Sequence, residues 1–137
     1  MQKVRRLEQK KAAMIGEYSA VALLDYPSSA VKDPANEDVI RDIRQILDQA
    51  RPETMYVHNL ADKHDTHVAT ALRTIQALRA LPAEAQPKKL YGCEVWRDLD
   101  WTIDEDKIVF DVSAHENLAL ALDGVFDSQI VGGKRYD

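Results

Sequence analysis

Three of the four histidines of this 137-residue chain fall within ten residues, in Tyr56-Val57-His58-Asn59-Leu60-Ala61-Asp62-Lys63-His64-Asp65-Thr66-His67. An apolar pattern of helical spacing comes directly after, in Val68, Leu72, Ile75 and Leu78. A helix N-terminus offers unpaired N–H groups and a partial positive charge. Imidazoles at i and i+3 share one face of a turn. His64-x-x-His67 at such a place suits the holding of a metal or an anion. Taken alone, the spacing favours two solvated histidines, because His-x-x-His is a weak motif.

Neighbouring residues carry two readings each. His58 ends an apolar run, either bordering a pocket or serving as a hydrogen-bonded structural histidine. Asp62 reads as a helix cap rather than a ligand. Asp25 lies in a loop and reads first as a turn former. Trp96 and Trp101 flank Arg97-Asp98-Leu99-Asp100, as a stacking wall or as packing. Cys93 sits in an apolar run and reads as buried. His115 reads as a surface residue.

The elements that must position these residues alternate. Helices are predicted over residues 3–16, 37–50 and from the histidines to about Leu81, with a last one from near Ser113. Gly16, Pro52 and Pro82 stop the first three, and Pro34 and Asn36 precede the second. Glu116 lies after Ser113 at capping-box spacing. Strands are predicted at Ala20–Leu24, Thr54–His58, Leu90–Trp96 and Lys107–Val112. Asp25–Ser29 reads as a loop and residues 83–88 as a Pro-containing linker. Short apolar strands alternating with helices imply a parallel sheet covered on both faces. Sites in such folds lie beyond the carboxyl ends of the strands, which is where Asp25–Ser29 and His58–His67 fall. A doubly wound fold usually begins with a strand, and this chain begins on a helix. The reading is therefore an α/β, Rossmann-like three-layer sandwich with a mostly parallel sheet, N-terminally incomplete. An uncovered edge at Ala20–Leu24 would invite pairing with another chain, so a homo-oligomer is one expectation.

Composition bounds the function. Hydrophobic residues make up 45% and charged residues 30%, which is ordinary for one globular domain. The net charge of −5, with no basic stripe beyond the first residues, disfavours nucleic acid and anionic membrane as partners. No apolar run approaches the roughly 18–20 residues of a membrane span. The single cysteine precludes an internal disulfide and fits a reducing cytoplasm.

The ordered set of motifs resembles the LmbE-like (PIG-L) family of zinc-dependent N-acetylglucosamine deacetylases. His64-Asp65-Thr66-His67 has the spacing of the family's His-Pro-Asp-His signature, with Asp62-Lys63 ahead and Val68-Ala69 behind. Arg5, Glu8, Ala12 and Gly16 look like its Arg-x-x-Glu helix. Leu90–Trp96, Phe110–Ser113 and Phe126–Gln129 look like its later strands and closing helix. Two departures stand out. The signature's aspartate is displaced by one place, to Asp65. The family's His-Pro-Asp-Asp signature, which carries a histidine and an aspartate zinc ligand and the general base, is absent from these residues.

The resemblance implies zinc as cofactor, in a site incomplete here, with His67 as the third ligand. His64, with Asp65, would protonate or stabilise the tetrahedral intermediate. Arg5, Asp25 and His58 would face a small amino-sugar substrate. The implied activity is hydrolytic N-deacetylation by a domain of which this is the later part, with little turnover and weak zinc binding by these residues alone. Asp62, Asp65 and His58 are the first candidates for replacement ligands. A non-catalytic remnant that binds sugar or protein, and a stand-alone metal module, are the alternatives.

Overall fold

A computed structural model describes residues 2–133. Internal contacts divide the chain into a central unit, Leu24–Lys107, and a terminal unit built from its two ends.

In the central unit the order is α2 (Ser28–Lys32), α3 (Glu37–Ala50), β1 (Thr54–His58), α4 (Asp65–Arg79) and β2 (Lys89–Cys93), α1 (Gln2–Ile15) lying in the terminal unit. Helix α3 has the predicted bounds. The Asn36 side chain accepts from the Asp38 N–H at 3.1 Å, and Glu37 and Asp38 put negative charge at the positive end of the helix dipole. The helix ends where Arg51 turns left-handed (φ 46°) and its N–H bonds the Leu47 carbonyl. Pro52 then cannot continue the ladder.

Strands β1 and β2 pair in parallel, from Thr54 opposite Lys89 to His58 opposite Cys93. Helix α4 makes the crossover that parallel strands require. The core joins Leu47 of α3, Ala77 and Leu78 of α4, and Leu81 and Ala85 beyond it, with Ile40, Ile43 and Met55 packed against them. Ala77 is fully buried. This packing fixes α4, and hence its first turn.

The α/β character and parallel pairing are as predicted; the sheet is smaller. Two strands are present among the described residues. Ala20–Leu24 and Lys107–Val112 are irregular rather than strands. Val21, Leu23, Leu24, Ile108, Val109, Phe110 and Val112 are exposed. Apolar content predicts burial, but a strand also needs a ladder for its N–H and C=O groups, and neither run has one here. Strand β2 stops at Cys93 rather than Trp96. There the buried Glu94 carboxylate draws in the N–H groups of Trp96, Arg97 and Leu99, and a ladder cannot use them too. Cys93 is exposed, not buried. The second half of the predicted Asp25–Ser29 loop opens α2, for which Pro27, at φ −67°, is the cap.

In the terminal unit, α1 (Gln2–Ile15) occupies the predicted span and ends as the Gly16 N–H bonds the Ala12 carbonyl. A helical turn at Ser113–His115 precedes α5 (Glu116–Asp123), and α6 (Asp127–Ile130) comes next. The predicted capping box does not form: Asp111 Oδ1 takes both the Ser113 hydroxyl (2.7 Å) and its N–H (3.0 Å). Helix α1 is tied to α6 through Glu8. Its buried carboxylate accepts from the Ser128 N–H and hydroxyl, both at 2.7 Å.

The two Ser128 bonds hold the Glu8 carboxyl below its ordinary value of 4.5, with the nearby Arg5 charge helping. The stabilisation is therefore complete above pH 4.5 and is lost as pH falls below it, through the lower folded value. Thermal melts of wild type are expected to fall more steeply below pH 4.5 than those of Glu8→Gln, which has no proton to gain there. Parallel profiles would show that Glu8 does not carry this linkage.

Candidate metal centre

His58 is the last residue of β1, so the histidine segment leaves from the carboxyl end of the strand. Asn59 anchors the turn beyond the strand. Its N–H bonds the Cys93 carbonyl (2.8 Å), its amide donates to the Gly92 carbonyl (3.2 Å), and its Oδ1 accepts from the Ala61 N–H (2.8 Å). Gly92 eases this approach: a Cβ there would stand 2.9 Å from Asn59 Nδ2 and 3.3 Å from its Cα. The Asp62 N–H closes the turn on the Asn59 carbonyl (3.1 Å).

Asp62 is the hub. Its side chain has no exposed surface. Oδ1 accepts from the His64 N–H at 2.8 Å, and Oδ2 lies 2.9 Å from His67 Nδ1. His64 is the cap of α4, its Nδ1 accepting from the Thr66 N–H at 3.3 Å. One turn on, the His67 ring stacks between its two partners. It lies 3.9 Å from the His58 ring, the planes 4° apart, and 4.5 Å from the His64 ring. One ligand atom from each of His58, Asp62 and His67 lies within 4.8 Å of the others.

The electrostatics suit a cation. Burial pushes the His58 pKa down, and the neighbouring His67 adds to this, so the ring stays neutral. A neutral imidazole is the ligating form. Burial opposes the charge on Asp62, but the His64 N–H and the His67 ring outweigh it and hold the carboxyl below its usual range. Imidazole and carboxylate are ligand types that zinc accepts, so the donor chemistry gathered here suits a divalent metal.

The other predicted site residues are placed differently. Asp65 is exposed and paired with Lys32 of α2 at 2.7 Å, which holds its carboxyl below the ordinary range; its Oδ1 is 3.6 Å from His64 Nδ1. Asp25 sits ahead of α2 with φ 65°. Arg5 is exposed on α1, in the terminal unit. Trp96 carries Lys63 over its ring at 5.6 Å, and Trp101 carries Arg97 at 5.8 Å. His115 is exposed, as expected. Asp62 departs from its expected role. It does not cap α4 itself but joins the histidines, and it lies five residues before His67, a separation that no helical or strand period flags.

A family model described as PIG-L, GlcNAc-PI de-N-acetylase, matches residues 1–78. The match takes in α1, β1 and the whole histidine segment and ends inside α4; the resemblances further along lie outside it. No curated protein and no solved structure matches the chain. With more than half of its length matched, and the signature histidines gathered around a buried aspartate, the chain belongs to the PIG-L family of de-N-acetylases.

Proposed function

We propose that this site serves zinc-dependent hydrolysis of the N-acetyl group of an amino sugar or sugar conjugate. The observation that carries the reading is the convergence of His58, Asp62 and His67 at the carboxyl end of β1. His67 would hold the ion, with His58 and Asp62 as the neighbouring donor groups. When bound, zinc supplies a water nucleophile at neutral pH and polarises the amide carbonyl.

The remaining roles belong to side chains. His64, half exposed at the head of α4, would give a proton to the leaving amine or balance charge on the tetrahedral intermediate. Asp65, whose Oδ1 lies 3.6 Å from the His64 Nδ1, is proposed to assist it. Asp25, ahead of α2 in the same unit, is proposed to meet a sugar hydroxyl. The family's general-base aspartate belongs to a His-Pro-Asp-Asp sequence that these residues do not contain, and turnover is expected only where that carboxylate is supplied. The β1–α4–β2 unit is then part of a Rossmann-like three-layer sandwich.

The test is acetate release from N-acetylglucosaminyl substrates by protein made from its complete reading frame. Turnover that a chelator stops and zinc restores is the expected result. Zinc-loaded protein that releases no acetate from a panel of such sugars would overturn the catalytic reading. Binding of those sugars without turnover would favour a non-catalytic sugar-binding remnant of the fold.

A further inference from the structure

We infer that Asp62 is a positioning residue: it keeps the proton of the neutral His67 ring on Nδ1 and so presents Nε2 as the metal-ligating nitrogen. The role of Nε2 rests on the proposed metal site; the hold of Asp62 on the ring proton does not.

What each group can donate decides the tautomer. An ionised carboxylate only accepts hydrogen bonds. Asp62 accepts one from the His64 backbone through Oδ1, which fixes the carboxylate plane from behind. Its other oxygen lies 2.9 Å from His67 Nδ1. That contact is a hydrogen bond only if Nδ1 carries the proton. A neutral imidazole has one N–H, so the lone pair is left on Nε2.

Ligation by Asp62 itself would conflict with this arrangement. A metal bound both to Oδ2 and to Nδ1 would displace the proton between them and leave a fully buried carboxylate without its ring partner. A histidine ligand whose second nitrogen donates to a carboxylate is the usual arrangement around protein-bound metals, and it fixes both tautomer and ring orientation. The geometry therefore divides the three-donor cluster unequally. His67 offers Nε2 to an ion, and Asp62 stands behind its ring on Nδ1. The fold supports this division, since Asp62 is held by a tight turn on Asn59 and His67 by the first turn of α4.

Imidazole ¹⁵N NMR of the metal-free protein tests the tautomer directly. At about pH 8.5, about two units above an ordinary histidine pKa, His67 is expected as the Nδ1–H tautomer. In Asp62→Asn, whose amide can donate to Nδ1, the tautomer is expected to shift toward Nε2–H. Zinc affinity should fall about 10- to 100-fold with stoichiometry unchanged, the usual cost of losing an outer partner. The wild-type spectrum requires no variant to fold. His67 found as Nε2–H in the wild type, or a tautomer unmoved in a folded Asp62→Asn, would overturn the inference. An Nδ1–H tautomer in protein that binds no zinc would remove the metal reading and its ligating nitrogen, while upholding the hold of Asp62 on the ring.

Discussion

Shortening Leu47 to alanine is expected to destabilise the central unit by about 2–5 kcal/mol, the range for large-to-small changes in a packed core. Leu47 is 5% exposed and shares one buried cluster with Ala77, Leu78, Leu81 and Ala85. Those neighbours are mostly small or already packed, so the space left by three carbons cannot readily be refilled. Whole domains are stable by only about 5–15 kcal/mol, so this one change is a large fraction of the total. Leu72 of α4 is the control. It is 46% exposed, and Leu72→Ala should stay within about 0.5–1 kcal/mol, since exposed substitutions seldom do more. Urea denaturation followed by circular dichroism would measure both midpoints. Equal midpoints for the two variants would mean that α3 and α4 are not packed as described. The consequence reaches the site, because the α3–α4 packing holds the helix whose first turn carries His67.

Elements with a strong local signal are legible in the sequence. Helix α3 shows its apolar face in Val39, Ile40, Ile43, Ile46 and Leu47, and its cap in Asn36. Strand β1 is a short apolar run ending on a histidine. The bounds of both agree with the structure. Local pattern does not contain the partner. Ala20–Leu24 is as apolar as β1, yet β1 has β2 to pair with and Ala20–Leu24 has no ladder among the described residues. Helix α2 is five residues long, too short for a period to emerge. The Glu8–Ser128 tie joins residues 120 apart, and no spacing rule reaches that far. At the site the histidines stand out by residue type. Asp62 does not, because a buried aspartate near a helix start looks in sequence like any cap. Its role depends on both carboxylate oxygens being used at once, which is a property of the folded turn and of no local pattern.

His67→Ala should have the largest effect on the site. Losing an outer partner of a metal costs about 10- to 100-fold in affinity, so losing a ligand should exceed that, and zinc affinity is expected to drop more than about 100-fold. The fold should survive, because His67 is in the first turn of a helix where alanine is the most favourable replacement. Asp62 would keep its bond from the His64 N–H but leave its buried Oδ2 without the ring, so some loss of stability is expected beside the loss of affinity. His64→Ala provides the contrast. His64 Nδ1 accepts from the Thr66 N–H as the cap of α4, and His64 is not among the three residues whose ligand atoms converge. Its removal should cost some helix stability and change zinc affinity by only a few fold, well short of the roughly 10-fold floor for an outer partner. Titration calorimetry with zinc, against a competing chelator, reads both variants on one scale. The ratio between them is decisive whatever the wild-type affinity. If His67→Ala binds zinc as well as His64→Ala does, the ion is not held where His58, Asp62 and His67 meet. The stacked imidazoles of His58, His64 and His67 would then be a structural group, with Asp62 satisfied by His67 for the sake of the turn alone.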